Sequence, residues 1–195
     1  MIKTFKDYKT YISADALAMG VDIHSFKGRV KAHIINPRWR FIKKLRKVER
    51  FKNAKGLFAR ILYFYYFISY KRFGMKLGFS IPPNVCGKGL SLPHYGTIVI
   101  STFAKIGDYA KIHVCVNIGA NNGNGAPQVG DFCYFGPGAK VFGEIKLGNN
   151  VKIGANSVVN KSFEEDNIIV AGAPAKFIKK LDENDTWLNM ELKQL

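Results

Sequence analysis

Apolar residues recur every six positions through the second half of the chain: Ile100, Ile106, Ile112 and Ile118, then Val129, Phe135, Val141, Leu147, Ile153 and Val159. Neither the two-residue period of a strand nor the 3.6-residue period of a helix produces that spacing. Glycine directly follows many of these positions (Gly107, Gly119, Gly130, Gly136, Gly148, Gly154). Two positions before them stand mostly small or β-branched residues: Ala104, Ala110, Val116, Cys133, Ala139, Val151 and Ser157. The pattern predicts a short strand and a tight turn in every six residues, three such units closing one triangular coil with its aliphatic side chains on the axis. Stacked coils pair as parallel strands about 4.8 Å apart. Each buries the apolar layer of the next, so the array holds where a single coil would not. From Ile81 to Val170 there is room for about four to five coils.

The phase breaks once, between Ile118 and Val129, where a step of 11 residues replaces one of six. The intervening segment reads Asn121-Asn122-Gly123-Asn124-Gly125-Ala126-Pro127, and five extra residues must leave the coil there as a loop. Loops on a rigid scaffold are where binding surfaces concentrate.

Residues 1–75 follow another rule. Trp39, Phe41, Ile42, Leu45, Val48 and Phe51 recur at helical spacing, with Arg38, Arg40, Lys43, Lys44, Arg46, Lys47 and Arg50 between them, which predicts an amphipathic basic helix. A second, more apolar helix is expected from Leu57 to about Phe73. After Ile169 the segment Ala171-Gly172-Ala173-Pro174 ends the coil, and Asp185 to Leu195 is expected to close it as a short helix, because an open solenoid end needs a cover. Three regions result: a basic α-helical region (1–75), the coil (76–170), and a C-terminal turn and helix (171–195).

Charge sharpens this division. Of a net +16, residues 1–75 carry 18 Lys and Arg against 4 Asp and Glu, whereas 76–195 carry 12 against 10. A basic half suits nucleic acid, an anionic membrane surface or an anionic substrate. Its cations are interleaved with helix-spaced aromatics and no nucleic-acid motif is present, so the expectation is no nucleic acid. An anionic membrane surface suits it better, and a helical cap with a solvated basic face is the plain alternative. The first residues lack a leader pattern, and the longest apolar run, Ile61 to Ser69, falls short of the roughly 20 residues a spanning helix needs. A cytoplasmic protein is expected, with peripheral contact to the inner face of the membrane. Cys86, Cys115 and Cys133 are odd in number and widely spaced, which predicts buried or half-buried free thiols and no zinc site.

Three stretches carry a resemblance: Ser91-Leu92-Pro93-His94-Tyr95-Gly96-Thr97-Ile98-Val99-Ile100, Gly136-Pro137-Gly138-Ala139-Lys140-Val141-Phe142-Gly143, and Ile153-Gly154-Ala155-Asn156-Ser157-Val158-Val159. With the closing Ala171-Gly172-Ala173-Pro174-Ala175-Lys176, they make Ile81 to Lys180 similar to the hexapeptide-repeat acyltransferases. The likeness is to the serine-acetyltransferase-like branch, which includes O-acetyltransferases of bacterial surface polysaccharides. The resemblance implies a mainly β fold, a left-handed parallel β-helix with an α-helical N-terminal region and a short C-terminal helix. It also implies direct acetyl transfer from acetyl-CoA to a hydroxyl, no metal, and a site shared between neighbours of a homotrimer.

An alcohol attacks a thioester slowly until a base takes its proton, and a neutral imidazole is suited to that task near pH 7. His94 stands where the family places its catalytic histidine. That family precedes the histidine with an aspartate and has another at the start of the first coil; Pro93 and Ser80 stand there in this chain. A second family histidine, which helps hold the amino-acid acceptor, aligns with Ala126. The expected acceptor is therefore a sugar hydroxyl in capsule or O-antigen polysaccharide. Serine O-acetylation is the alternative, and a non-catalytic or membrane-docking scaffold a further one.

His113 follows His94 by 19 residues, about one coil, and is a candidate second site residue. Asn117, Asn121 and Asn122 are candidates for bonding an acceptor hydroxyl or the oxyanion. The resemblance assigns CoA contacts to Gly119, Ala120, Gly136, Pro137 and Ala155, and its phosphates to Lys176, Lys179 and Lys180. The same repeat also occurs in γ-type carbonic anhydrases, which need three histidines on zinc; the repeat region offers only His94 and His113.

Overall fold

The computed structural model describes residues 1–121 and 125–192. Four helices come first: α1 (Phe5–Ala18), α2 (Phe26–Ile35), α3 (Pro37–Asn53) and α4 (Leu57–Leu77). Their ends follow local chemistry. Thr4 and Asp7 form a reciprocal capping box on α1, Asn36 accepts from Trp39 N at 3.0 Å ahead of Pro37 on α3, and Gly78, in the left-handed region at φ 78°, ends α4.

The coil has three faces. The first stacks β1 (Phe79–Ser80), β2 (Ile98–Ile100), β5 (Asn117–Gly119), β8 (Lys140–Phe142) and β11 (Val158–Val159). The second stacks β3 (Lys105–Ile106), β6 (Gln128–Val129) and β9 (Lys146–Leu147). The third stacks β4 (Lys111–Ile112), β7 (Tyr134–Phe135), β10 (Lys152–Ile153) and β12 (Ile168–Gly172), all parallel, and then β13 (Ala175–Lys180), antiparallel to β12. A last helix, α5 (Trp187–Leu192), follows.

Register reports the phase break directly. Val141 pairs with Val159, 18 residues on, but Ile118 pairs with Val141, 23 residues on. The five additional residues lie between β5 and β6, where the sequence places its loop; Asn122, Gly123 and Asn124 fall outside the described residues. Every periodic aliphatic from Ile100 to Val159 is buried on the axis. One edge is tied by a ladder in which Asp108, Asp131, Asn149 and Asp166 each accept from backbone N–H of the coil before: Lys88 N at 3.0 Å, Asp108 N at 2.7 Å, Asp131 N at 2.8 Å and Asn149 N at 2.6 Å.

Three expectations need correction. The region after residue 170 is more than a turn and a helix, because β13 folds back on β12 and supplies a further strand to the third face. Cys115 is exposed, unlike Cys86 and Cys133, because it turns an edge at φ 61°. The apolar face of α3 is not available to a membrane: Trp39, Phe41, Ile42, Leu45 and Val48 are all buried.

Arg46, one of the basic residues of that helix, is itself fully buried. Its guanidinium holds Asp15 of α1 at 2.8 and 3.1 Å and Glu49 at 2.9 Å, and donates to the carbonyls of Cys86 at 3.0 Å and Gly87 at 2.5 Å. The same carboxylates accept from Leu90 N and Asn84 N, both at 2.8 Å. Burial alone would weaken Arg46's hold on its proton, but the two carboxylates outweigh it and raise its pKa above the usual guanidinium value. One ionic cluster thus joins α1 and α3 to the first, irregular coil.

Candidate active site

The sequence Leu90-Ser91-Leu92 runs into the third face, where Ser91 bridges Lys111, and Pro93 then ends the extended run. The chain turns through His94 and Tyr95, both exposed, to Gly96. Gly96 sits at φ 147°, donates to Leu77 O at 2.9 Å and lies against Val114, whose side chain would stand 3.2 Å from an added Cβ. That approach requires glycine and sets His94 on the edge between the third and first faces.

One coil on, His113 lies on the same edge. The two imidazoles are 5.9 Å apart between ring centroids, and His113 is 5.1 Å from the ring of Tyr134 on β7. Among the described residues the His94 side chain has no hydrogen-bond partner. Burial pushes His113 down to a pKa of about 4, and the basic groups Lys111 and His94 add to the shift. His113 is therefore a neutral imidazole near pH 7.

Above the histidines the edge narrows. Gly138 N donates to Val114 O at 2.9 Å and Asn156 N to Pro137 O at 2.8 Å, so Val114, Pro137 and Ala155 stack in one column. The neighbouring column runs from His113 to Gly136 and Gly154. A Cβ on Gly136 would meet Ala155 N and Ile153 O at 2.7 Å. The bulky imidazoles thus sit at the foot of a track of backbone and small side chains, to which Gly136, Pro137 and Ala155 all belong. Gly119 and Ala120 do not. Gly119 ends β5 and Ala120 follows it at the far side of the first face, where Gly119 O accepts from Gly143 N at 3.2 Å.

Beside the track, on the third face, a groove of about 550 Å³ is lined by Lys111, Tyr134, Lys152, Gly154, Lys179 and Trp187 among others. In register, Lys111, Tyr134, Lys152, Ile169 and Lys179 form one row across the strands. Sequence reasoning missed Tyr134 and Lys152. The signal was present, since the residue before each periodic aliphatic faces outward and repeats coil by coil. The three lysines named for phosphates separate: Lys179 lines the groove, Lys176 is exposed opposite Ala171, and Lys180 pairs with Glu165 at 3.1 Å. Asn117 points outward from β5 between Val99 and Lys140, and Asn121 is exposed where the loop leaves. Among the described residues, no three His, Cys, Asp or Glu side chains gather as metal ligands would.

No protein-family model matches the chain. Serine acetyltransferase from Staphylococcus aureus is 37% identical over 107 residues, which cover 53% of this chain and 50% of that protein. The enzyme of that name from Mycobacterium tuberculosis is 37% identical over 100 residues, covering 50% and 43%. The chain thus spans about half the length of the curated relatives it matches. Among solved structures, serine acetyltransferase from Vibrio cholerae superposes with a TM-score of 0.75 at 22% identity, over 95% of this chain and 70% of that one. The Neisseria gonorrhoeae enzyme in complex with serine does so with a TM-score of 0.69 at 26% identity, over 88% and 69%. Repeat, coil and relatives agree: over about half its length the chain is similar to the serine acetyltransferases, and it is built on a left-handed parallel β-helix.

Proposed function

We propose that the chain transfers an acetyl group from acetyl-CoA to a hydroxyl, with His94 as general base. The observation that carries this is an exposed imidazole at the foot of an edge whose upper positions are glycine, proline and alanine. An extended, amide-rich pantetheine arm suits such a track, since it can bond backbone groups without needing special side chains. His94 takes the hydroxyl proton as the oxygen attacks the thioester carbonyl. The tetrahedral intermediate then breaks its C–S bond, and the proton passes to the departing thiolate. His113, neutral near pH 7, places no second positive charge beside the imidazolium that His94 becomes. Lys179 and Lys152 supply positive charge for phosphates along the groove, where Lys111 is paired with Glu191.

The catalytic unit is a homotrimer on this reading. The outward Asn117 and the loop asparagine Asn121, with Gly119 and Ala120, stand on a different edge from His94, and a neighbouring copy would bring them to it. The enzyme works in the cytoplasm or at the inner face of the membrane.

For the acceptor, the relatives favour serine, the alternative in the sequence reading, over a sugar, because the proteins similar to this chain are serine acetyltransferases. A sugar hydroxyl is the second reading, supported by one specific observation. Where the resemblance places two aspartates and an acceptor-holding histidine, this chain has Pro93, Ser80 and Ala126. Serine's ammonium group would want a carboxylate.

The test is thiol release from acetyl-CoA by the purified chain, with serine, simple sugars and polysaccharide as acceptors. Release with serine establishes the first reading, and release only with a saccharide the second. No release with any acceptor, from a protein that still binds CoA, would leave a scaffold.

A further inference from the structure

A continuous exposed apolar surface lies on α4. Leu57, Ile61, Phe64, Ile68 and Met75 follow one another at steps of three, four or seven residues, so they share one stripe, with Phe58 and Tyr65 beside it. All are exposed: Phe58 by 75%, Phe64 by 58% and Ile68 by 57%. The opposite side of α4 is already spent, with Tyr70 against Phe41 and Tyr66 stacked on Phe51 of α3. An apolar stripe about 30 Å long, facing water on a 21-residue helix, calls for a partner.

Charge selects that partner. Helix α4 carries Arg60, Lys71, Arg72 and Lys76 and no acidic residue. Between Pro37 and Leu77 the chain has 13 Lys and Arg against the single acid Glu49, which is buried on Arg46. Along the stripe runs a groove of about 460 Å³ whose lining sets Lys44, Arg72 and Lys76 around Tyr65 and Ile68. A second copy of this face would bring like charges together. A nucleic acid would satisfy the cations and leave the leucine, isoleucines and methionine without a partner. A layer of anionic headgroups over acyl chains meets both demands.

We propose that α4 docks on an anionic lipid surface, lying in its plane with the apolar stripe below the headgroups and the lysines and arginines among the phosphates. Among the described residues no helix is long and apolar enough to cross a membrane, so the contact is one of lying on the bilayer. The surface is on α4 and not on the more obviously amphipathic α3, whose apolar face is buried.

The test is sedimentation of the full chain with phosphatidylcholine vesicles, with and without phosphatidylglycerol. The wild type is expected in the pellet with anionic vesicles and mostly in the supernatant without them. Phe64→Glu combined with Ile68→Glu should lower the vesicle partition about tenfold or more while the circular dichroism stays unchanged. Lys71→Gln with Arg72→Gln should weaken binding at low salt and matter less at high salt. Full recovery in the supernatant with anionic vesicles would overturn the proposal. So would pelleting indifferent to the Phe64 and Ile68 changes, or an oligomer in sedimentation velocity that those changes dissociate. The readout needs no acetyl transfer, so it stands or falls apart from the activity proposed above.

Discussion

The two halves of this chain place apolar residues under different rules. In the coil, each aliphatic meets its equivalent in the coils before and after, so its surroundings repeat with the sequence: Ile112, Phe135 and Ile153 stack on one face, and all are buried. In the helical half the cover comes from another helix. Trp39, Phe41 and Ile42 on α3 are buried under α4 and the first coil, whereas Ile61, Phe64 and Ile68 on α4 are left in water. Periodicity establishes that a face exists, and only the neighbouring elements decide whether it is covered.

The sharpest contrast between the halves is chemical. His94→Ala should lower acetyl transfer by about 10²- to 10⁴-fold while CoA binding and the fold persist, as read by thiol release and by melting. Activity retained in that variant moves the base elsewhere.

The joint between the halves is next. Arg46→Met strands Asp15 and Glu49 without their cation and should cost about 3–5 kcal/mol in urea denaturation. A loss below about 1 kcal/mol would show that the cluster does not hold the helices to the coil.

Burial itself is compared by one substitution made twice. Ile118→Ala, on the coil axis, should cost roughly 2–5 kcal/mol, and Ile61→Ala, on the open stripe, about 0.5 kcal/mol or less. Equal costs would erase the distinction drawn between the two regions.

The smallest effect is in pH. The unfolded histidine takes a proton near 6.5, but the folded His113 does so only at about 4, so in between the unfolded chain binds more protons. That part of the stability is complete above about 6.5 and is lost as the pH falls toward about 4. His113→Gln should flatten the slope in this window, measured as denaturation midpoints at neutral and acid pH. An unchanged slope would mean that the imidazole is solvated.

Part of the layout of the candidate site was legible because the coil converts sequence spacing into position. His113, one coil after His94, is beside it, and Gly136 and Ala155 meet on one edge for the same reason. Lys180 and Lys179 are neighbours in sequence, yet one pairs with Glu165 and the other lines the groove, because both lie on the strand β13, whose successive side chains point to opposite faces. Arg46 read as one more surface cation. Its burial depends on Asp15, 31 residues away, and on carbonyls some 40 residues away, which no local pattern announces.

The amino-acid sequence by itself determined the six-residue coil, its interruption after Ile118, and the excess of positive charge before residue 76. These are local or strictly periodic demands of backbone geometry and axial packing. Tertiary structure alone decided that α3 is covered and α4 is not, that one arginine is a buried joint, and that β13 extends the third face. Each of these depends on contacts between segments far apart in the chain, whose free energy no short stretch of sequence contains.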